Sequence, residues 1–314
     1  MKKLSGDFLA RLLYLLQHAN EKEMDAEELV RGFSDVVRCA ENLYCTMIVN
    51  DKKADDEHVH KRLELLDPSS LEKLDAMLPW SSYFNFNGNK SLGTAWSERK
   101  RHAPMPFPDK GVENLNKLLP LDGMSVLEMG CFEGHHTTSL AMHTDDVWAI
   151  DGRIENVIKT LIRVWGAGYE KRVSVNYIDL EQGSLQDQFR ALGRDDGFDL
   201  IHHRGVLYHL SNPVIHINEC SMVCKKHLFL HTQIASDEMA NDEYTHNNKS
   251  YRVYRYKEPK TAFSPFAGIT QYALWLTKSS LLELLDEVGF NDVKILAEDQ
   301  ERNGPRIALL ASRI

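Results

Sequence analysis

The residues best suited to chemistry lie between 124 and 151, in the run MSVLEMGCFEGHHTTSLAMHTDDVWAID. Ser125-Val126-Leu127-Glu128-Met129 is short and mostly apolar, as a buried parallel strand is. Gly130 and Gly134 follow, a helical pattern opens, and a second strand, Val147-Trp148-Ala149-Ile150, ends on Asp151. Strand, glycine turn, helix and a second strand with a terminal acid make a nucleotide-type site. Gly130 has no Cβ and lets a ligand approach the backbone. The helix start offers N–H groups without intrahelical partners. Asp151 sits where a carboxylate accepts both hydroxyls of a ribose. The spacing is not the G-x-G-x-x-G of dinucleotide folds. An acid, Glu128, stands two residues before the first glycine, whereas a phosphate loop carries Lys or Arg; the loop suits a cationic ligand.

The elements that position these residues follow in order. Ile154 to Trp165 reads as a helix and Val173 to Ile178 as a strand ending at Asp179-Leu180. A helix around Ser184 to Leu192 and a strand Phe198 to His203 come next, the latter running into Arg204-Gly205-Val206-Leu207-Tyr208-His209. A helix over Pro213 to Val223 and a strand His227 to Thr232 follow, then a polar insertion, 236–272, that holds Tyr244, Tyr251, Arg252, Tyr254, Arg255 and Tyr256. Thr277 or Ser279 caps a helix that Gly289 ends. Strands Val293 to Leu296 and Ile307 to Leu310 close the chain. The alternation predicts an α/β fold: a seven-stranded, mostly parallel sheet with one antiparallel edge hairpin. Ligands of such sheets bind at the carboxyl ends of strands where the strand order reverses, and Glu128, Asp151, Asp179 and Arg204 all fall there. Ahead of this unit, which starts near residue 111, residues 5–78 carry helical periodicity and predict an all-α N-terminal accessory domain, 1–78. Residues 79–110 form an aromatic-rich connection with Trp80, Tyr83, Phe84, Phe86 and Trp96 and a basic cluster, Glu98-Arg99-Lys100-Arg101-His102. Such a long connection is often functional.

The chain has 314 residues, 43% of them hydrophobic, and a formal charge of −9. A protein that grips phosphates is usually basic, so the balance lowers the expectation of a nucleic-acid partner. Five cysteines without a C-x-x-C pair fit a reducing cytosol, and a cytoplasmic location is expected. The N-terminal MKKLSGDFLARLLYLL reads as an amphipathic helix, not a signal peptide. No apolar run approaches the length of a membrane span. No metal site is expected: His135 and His136 are adjacent and diverge on a helix, and His202, His203 and His231 have no accompanying carboxylate-His spacing.

The run Glu128-x-Gly130-x-x-x-Gly134 resembles motif I of the class I S-adenosylmethionine methyltransferases, whose Rossmann-like fold matches the one expected here. In that class a strand-end acid, here Asp179 beside Leu180, meets the adenine amino group. The stretch Gly205-Val206-Leu207-Tyr208-His209 with Pro213 resembles the G-V-L-Y-H-x-x-x-P run of the tRNA wobble-uridine carboxymethyltransferase family, over roughly residues 75–314. Those enzymes use carboxy-S-adenosylmethionine and carry a helical N-terminal domain. The resemblance implies cofactor contacts from Trp96, Arg101, Gly130, Asp151, Arg204 and Tyr208. It also implies a carboxylate-binding arginine at Arg306, in Gly304-Pro305-Arg306-Ile307-Ala308. Pro79-Trp80 matches a Pro-Trp pair of that family, but the lysine that follows it there is replaced by Ser81, Ser82 and Tyr83, and Phe132 replaces the middle glycine of motif I. Losing one charge-assisted contact to an added carboxylate costs about 1.5–3 kcal/mol, so plain S-adenosylmethionine is expected rather than the carboxy form.

The expected chemistry is displacement of a methyl group from a sulfonium by an O or N acceptor, in which alignment is the main requirement. An acceptor hydroxyl also needs a base. His209 and His203 are candidates, with Tyr208 as a positioning group. Tyr83, Tyr254 and Arg306 are candidate acceptor-binding residues. The acceptor is expected to be a small molecule. A tRNA-modifying enzyme and a non-catalytic binding module remain alternatives, and the oligomeric state is open.

Overall fold

The computed structural model describes residues 80–82, 84–86, 90–92, 105–258 and 267–314. The predicted helical segment 1–78 and the candidates Tyr83, Trp96 and Arg101 lie outside the described residues. In chain order the elements are β1 (Phe84–Phe86), β2 (Lys90–Leu92), α1 (Lys110–Leu118), β3 (Ser125–Met129), α2 (His135–Ala141), β4 (Asp146–Asp151), α3 (Ile154–Gly166) and β5 (Val173–Tyr177). They continue with α4 (Leu185–Ala191), β6 (Phe198–Arg204), a 3₁₀ turn (Leu207–His209), α5 (Pro213–Val223), β7 (Cys224–Gln233), β8 (Asp242–His246) and β9 (Lys249–Lys257). The last are β10 (Tyr272–Leu276), α6 (Lys278–Glu287), β11 (Asp292–Glu301) and β12 (Gly304–Ser312).

The main sheet has seven strands in the order β11-β12-β7-β6-β3-β4-β5. All neighbouring pairs from β7 to β5 are parallel, and β12 runs antiparallel to both β7 and β11. The expected edge hairpin is therefore present, with its antiparallel strand held inside. β3 pairs with β4 on one side and β6 on the other. The chain order reverses there, and the crevice at the carboxyl ends of β3 and β6 is the position such sheets use for ligands. The burial of β3, unbroken from Ser125 to Met129, is that of a strand covered on both faces. One face packs Leu127, Met129, Ile150, Phe198 and Ile201 against α4, α5 and α6. The other packs Val126, Val147, Ala149 and Leu200 against α1, α2 and α3.

The structure corrects two expectations. The insertion 236–272 is not a simple polar loop: it contributes β8 and β9, which join β10 in a three-stranded antiparallel sheet. Asn247 and Asn248 turn the β8–β9 hairpin with φ of 50° and 63°, the pair of positive φ angles that a tight hairpin requires. β11 and β12 run several residues beyond their apolar cores, because pairing along an exposed edge tolerates charged side chains. The small sheet is fixed to the large one by Leu274 N donating to Leu210 O at 3.0 Å and Ala235 N to Leu276 O at 2.9 Å.

Thr277, rather than Ser279, caps α6, its hydroxyl accepting from Ser280 N. Truncation of such a cap costs about 1 kcal/mol. Thr277→Ala is expected to lower the unfolding free energy by about that amount in urea titration, with an unchanged m-value.

Candidate active site

The glycine turn after β3 is built by the end of β4. Gly130 N and Cys131 N both donate to Ile150 O at 2.9 Å, which folds the loop back over the neighbouring strand. Gly130 has φ +70°, and a Cβ there would stand 2.2 Å from Val206 Cγ2. Only glycine allows the loops after β3 and β6 to approach this closely.

Three carboxylates are buried in this unit. Glu128, 1% exposed, accepts from the Thr137 hydroxyl through Oε2, while Oε1 has no hydrogen-bond partner. Burial raises its pKa to about 8, with Asp151 adding repulsion. Glu133, fully buried, accepts from Ser81 N at 2.6 Å, Ser82 N at 2.7 Å and Lys159 Nζ at 2.9 Å. Arg163 Nη2 adds a bond to Ser82 Oγ at 2.7 Å. The two serines that follow Trp80 thus tie the 80–82 segment to the glycine loop and to α3. Asp151 accepts from Phe132 N at 3.0 Å, Arg153 N at 2.9 Å and Asn156 Nδ2 at 3.2 Å, and burial raises its pKa to about 6. A carboxylate offers about four acceptor directions. Three are used, which leaves one acceptor direction open.

Asp179 stands beside this acid at the end of β5: its Cα lies 3.6 Å from a Cβ built on Gly152. Its oxygens accept from Glu181 N at 3.0 Å and Gln182 Nε2 at 3.1 Å, which leaves acceptor capacity for an adenine amino group. Leu180 is half-buried and packs on the main core. Gly134 opens α2 at φ +77°. Ala267 and Gly268 are held over this end of the sheet by Arg153 Nη2, at 3.0 and 3.3 Å from their carbonyls.

Arg204 is not free. Its Nη1 donates to Asp109 Oδ1 at 2.9 Å. Burial pushes the Asp109 pKa up, but His135 at 3.6 Å, His136 at 3.9 Å and the Arg204 guanidinium at 2.9 Å outweigh this and hold it well below the usual carboxylate range. Donor atoms of Glu128, His136 and His202 lie within 4.8 Å of one another. No sequence spacing marks this group: Glu128 comes from β3, His136 from α2 and His202 from β6. Both nitrogens of His202 are buried without partners, as is Glu128 Oε1. These orphaned groups at the switch point fit a polar, cationic ligand part in the crevice, which agrees with a sulfonium amino acid.

The candidate catalytic residues separate. His203 is fully buried on the opposite sheet face from His202, its Nε2 2.8 Å from His216 Nε2, so it is removed from the crevice. His209 is 20% exposed, and its Nδ1 lies 2.7 Å from Glu258 Oε1 of a carboxylate that is 1% exposed. Glu258 was not visible in the sequence: the two residues are 49 apart, and no short spacing links them. Tyr208 lies against His209, ring centroids 4.2 Å apart, and its hydroxyl accepts from Arg306 Nη2 at 3.2 Å. Arg306 also binds both oxygens of Glu301 at 2.9 Å. Tyr254 faces Trp275 across the β9–β10 pair, Tyr256 stacks on the same indole at 4.5 Å, and Trp275 Nε1 donates to Tyr208 O at 2.8 Å. The structure therefore brings Tyr208, His209, Arg306 and Tyr254 to one end of the sheet.

The strand order and the reversal at β3 are those of the class I methyltransferase fold. A family model described as a methyltransferase domain matches residues 98–295, more than half of the chain, and the chain belongs to that family; it is an S-adenosylmethionine-dependent methyltransferase. A search of curated proteins gives no match. Among solved structures, the N-terminal domain of EvdMO1, in the presence of SAH and D-fucose, superposes with TM-score 0.63 at 21% identity, over 83% of this chain and 100% of that one. EvdMO1 itself gives 0.55 at 20% identity, over 79% and 48%. Magnesium protoporphyrin IX methyltransferase (ChlM) from Synechocystis PCC 6803 with bound SAH gives 0.44 at 17% identity, over 65% and 82%. The family match is to the broad methyltransferase-domain class. Among the described residues no helix is long and apolar enough to cross a membrane.

The Glu128 pKa also governs stability. Its carboxyl titrates at about 8 when folded against 4.5 ordinarily. Between these values the unfolded chain has lost a proton that the folded one keeps. The contribution is full below about pH 4.5 and is lost as pH rises through 8. For Glu128→Gln without ligand, the fall in unfolding free energy over this window is expected to be shallower than in the wild type. Urea titrations at stepped pH measure it.

Proposed function

We propose that the chain methylates a hydroxyl group of a small molecule, with S-adenosylmethionine as donor and His209 as the base. The single observation that carries this reading is the His209–Glu258 pair beside the cofactor crevice. When bound, the cofactor supplies an electrophilic methyl on a sulfonium. The chain's own residues hold, orient and take up a proton. Gly130, Gly134, Glu128, Asp151, Asp179 and Leu180 form the cofactor cradle, Glu128 beneath its cationic end and Asp151 at the ribose. Glu258 accepts from Nδ1–H of His209 and fixes the tautomer in which Nε2 carries a lone pair; among the described residues Nε2 has no hydrogen-bond partner. That nitrogen accepts the acceptor's hydroxyl proton, and the buried carboxylate stabilises the imidazolium that results.

Tyr254 and Tyr256, backed by the buried indole of Trp275, give the acceptor an aromatic wall on the same sheet face as Glu258. Such a wall suits a ring-bearing small molecule. Arg306 is neutralised by Glu301, which disfavours its use on an added carboxylate and supports plain S-adenosylmethionine over the carboxy form. The formal charge of −9 also weighs against tRNA as the acceptor.

The test transfers labelled methyl from S-adenosylmethionine to a panel of hydroxylated ring compounds, with bulk tRNA as a parallel acceptor. His209→Ala is expected to lower kcat by about 10²–10⁴-fold on the accepted compound. Affinity for S-adenosylhomocysteine, from calorimetry, should stay within about twofold. Label entering tRNA alone, or His209→Ala at full rate, contradicts the proposal.

A further inference from the structure

On the sheet face opposite the crevice, the core holds a second set of converging donor atoms that methyl transfer does not use. His216 and Cys220 are four residues apart on α5 and share one helix face. His203 comes from β6 and Met129 from the end of β3. His203 Nε2 lies 2.8 Å from His216 Nε2, Cys220 Sγ lies 3.4 Å from His216 Nε2, and Cys220 Sγ lies 3.8 Å from Met129 Sδ. Exposure is 3% at His216 and 0% at the other three. Two ring nitrogens face one another, so a hydrogen bond between them uses only one proton. Both Nδ1 atoms remain buried without partners. Sequence spacing groups His203 only with His202 and His231; His216 and Cys220 join it through packing.

We propose that Met129, His203, His216 and Cys220 form a binding site for one Cu(I) ion. A thiolate, a thioether and two imidazoles are a soft donor set, of the kind that selects monovalent copper over magnesium, calcium or manganese. Charge points the same way. The group of converging donors contains one acidic side chain, Cys220, and no carboxylate. One thiolate and one monovalent ion leave the dry core neutral, whereas a divalent ion leaves an unpaired positive charge there. On binding, the Cys220 S–H bond breaks, an S–Cu bond forms and the proton leaves to solvent. The proton shared by the facing nitrogens moves to Nδ1, so that both Nε2 lone pairs reach the ion. Donor atoms about 2.0–2.3 Å from an ion stand roughly half an ångström further apart than these imidazoles do, a change within reach of small side-chain rotations. The site clamps β3, β6 and α5 from the side away from the crevice.

The test uses the full chain, reduced and without oxygen, titrated against Cu(I) held by bicinchoninate. One equivalent is expected to move to the protein, with an X-ray absorption spectrum showing two nitrogen and at least one sulfur neighbours and a raised Tm. Cys220→Ala is expected to lose that equivalent and Cys224→Ala to keep it. Met129→Leu conserves volume and remains informative if Cys220→Ala fails to fold; it should weaken the site at least tenfold. No copper withdrawn, sulfur-only coordination, or uptake unchanged in Cys220→Ala or Met129→Leu overturns the site. Methyl transfer and S-adenosylhomocysteine affinity are measured separately on the same preparation and stand or fall independently.

Discussion

Three carboxylates buried within one strand-loop-helix-strand unit impose the constraint on which the rest of the site depends. An isolated buried charge costs several kcal/mol even after relaxation, and each acid meets that cost differently. Glu133 is ionically paired with Lys159 and takes two backbone donors from residues 81 and 82. Asp151 is held by two loop N–H groups and an amide. Glu128 has one hydroxyl donor, and burial holds it protonated to about pH 8. The least compensated acid is thus the one at the switch point, in β3.

The second level of organisation is the attachment of the small sheet. Its hydrogen bonds to Leu210 and Ala235 place Glu258 against His209 and the indole of Trp275 against the Tyr208 carbonyl. The turn after β6 would otherwise be a short exposed 3₁₀ segment. Packed beneath the small sheet, it presents a fixed imidazole next to an aromatic surface. In the proposed function the cofactor cradle belongs to the parallel strands and the acceptor side to the insertion, and the two meet at residues 204–209.

Much of this was legible in the residues. The strands from β3 to β7 are continuous apolar runs, the glycine turn has a spacing, and Glu128, Asp151 and Asp179 lie at strand ends that sequence periodicity alone locates. The small sheet was hidden because its outer face is charged and only Tyr251 and Val253 of β9 turn fully inward. Glu258, Asp109 and the His216–Cys220 pair were hidden for another reason. Their partners are brought to them by tertiary packing across separations of 49, 95 and 13 residues, and no local pattern records such a meeting. Arg204 and Arg306 were legible as candidate site residues, but their countercharges, Asp109 and Glu301, were not, and those decide how much charge each arginine has to offer.

A crystal structure of the full chain with S-adenosylhomocysteine tests the central claim most directly. The adenosine is expected against Asp151 and Asp179 with one ribose hydroxyl on Asp151, the sulfur directed toward His209, and the amino group within reach of Glu128 Oε1. Failure of the ligand to bind, or its appearance away from the β3–β6 crevice, contradicts the account.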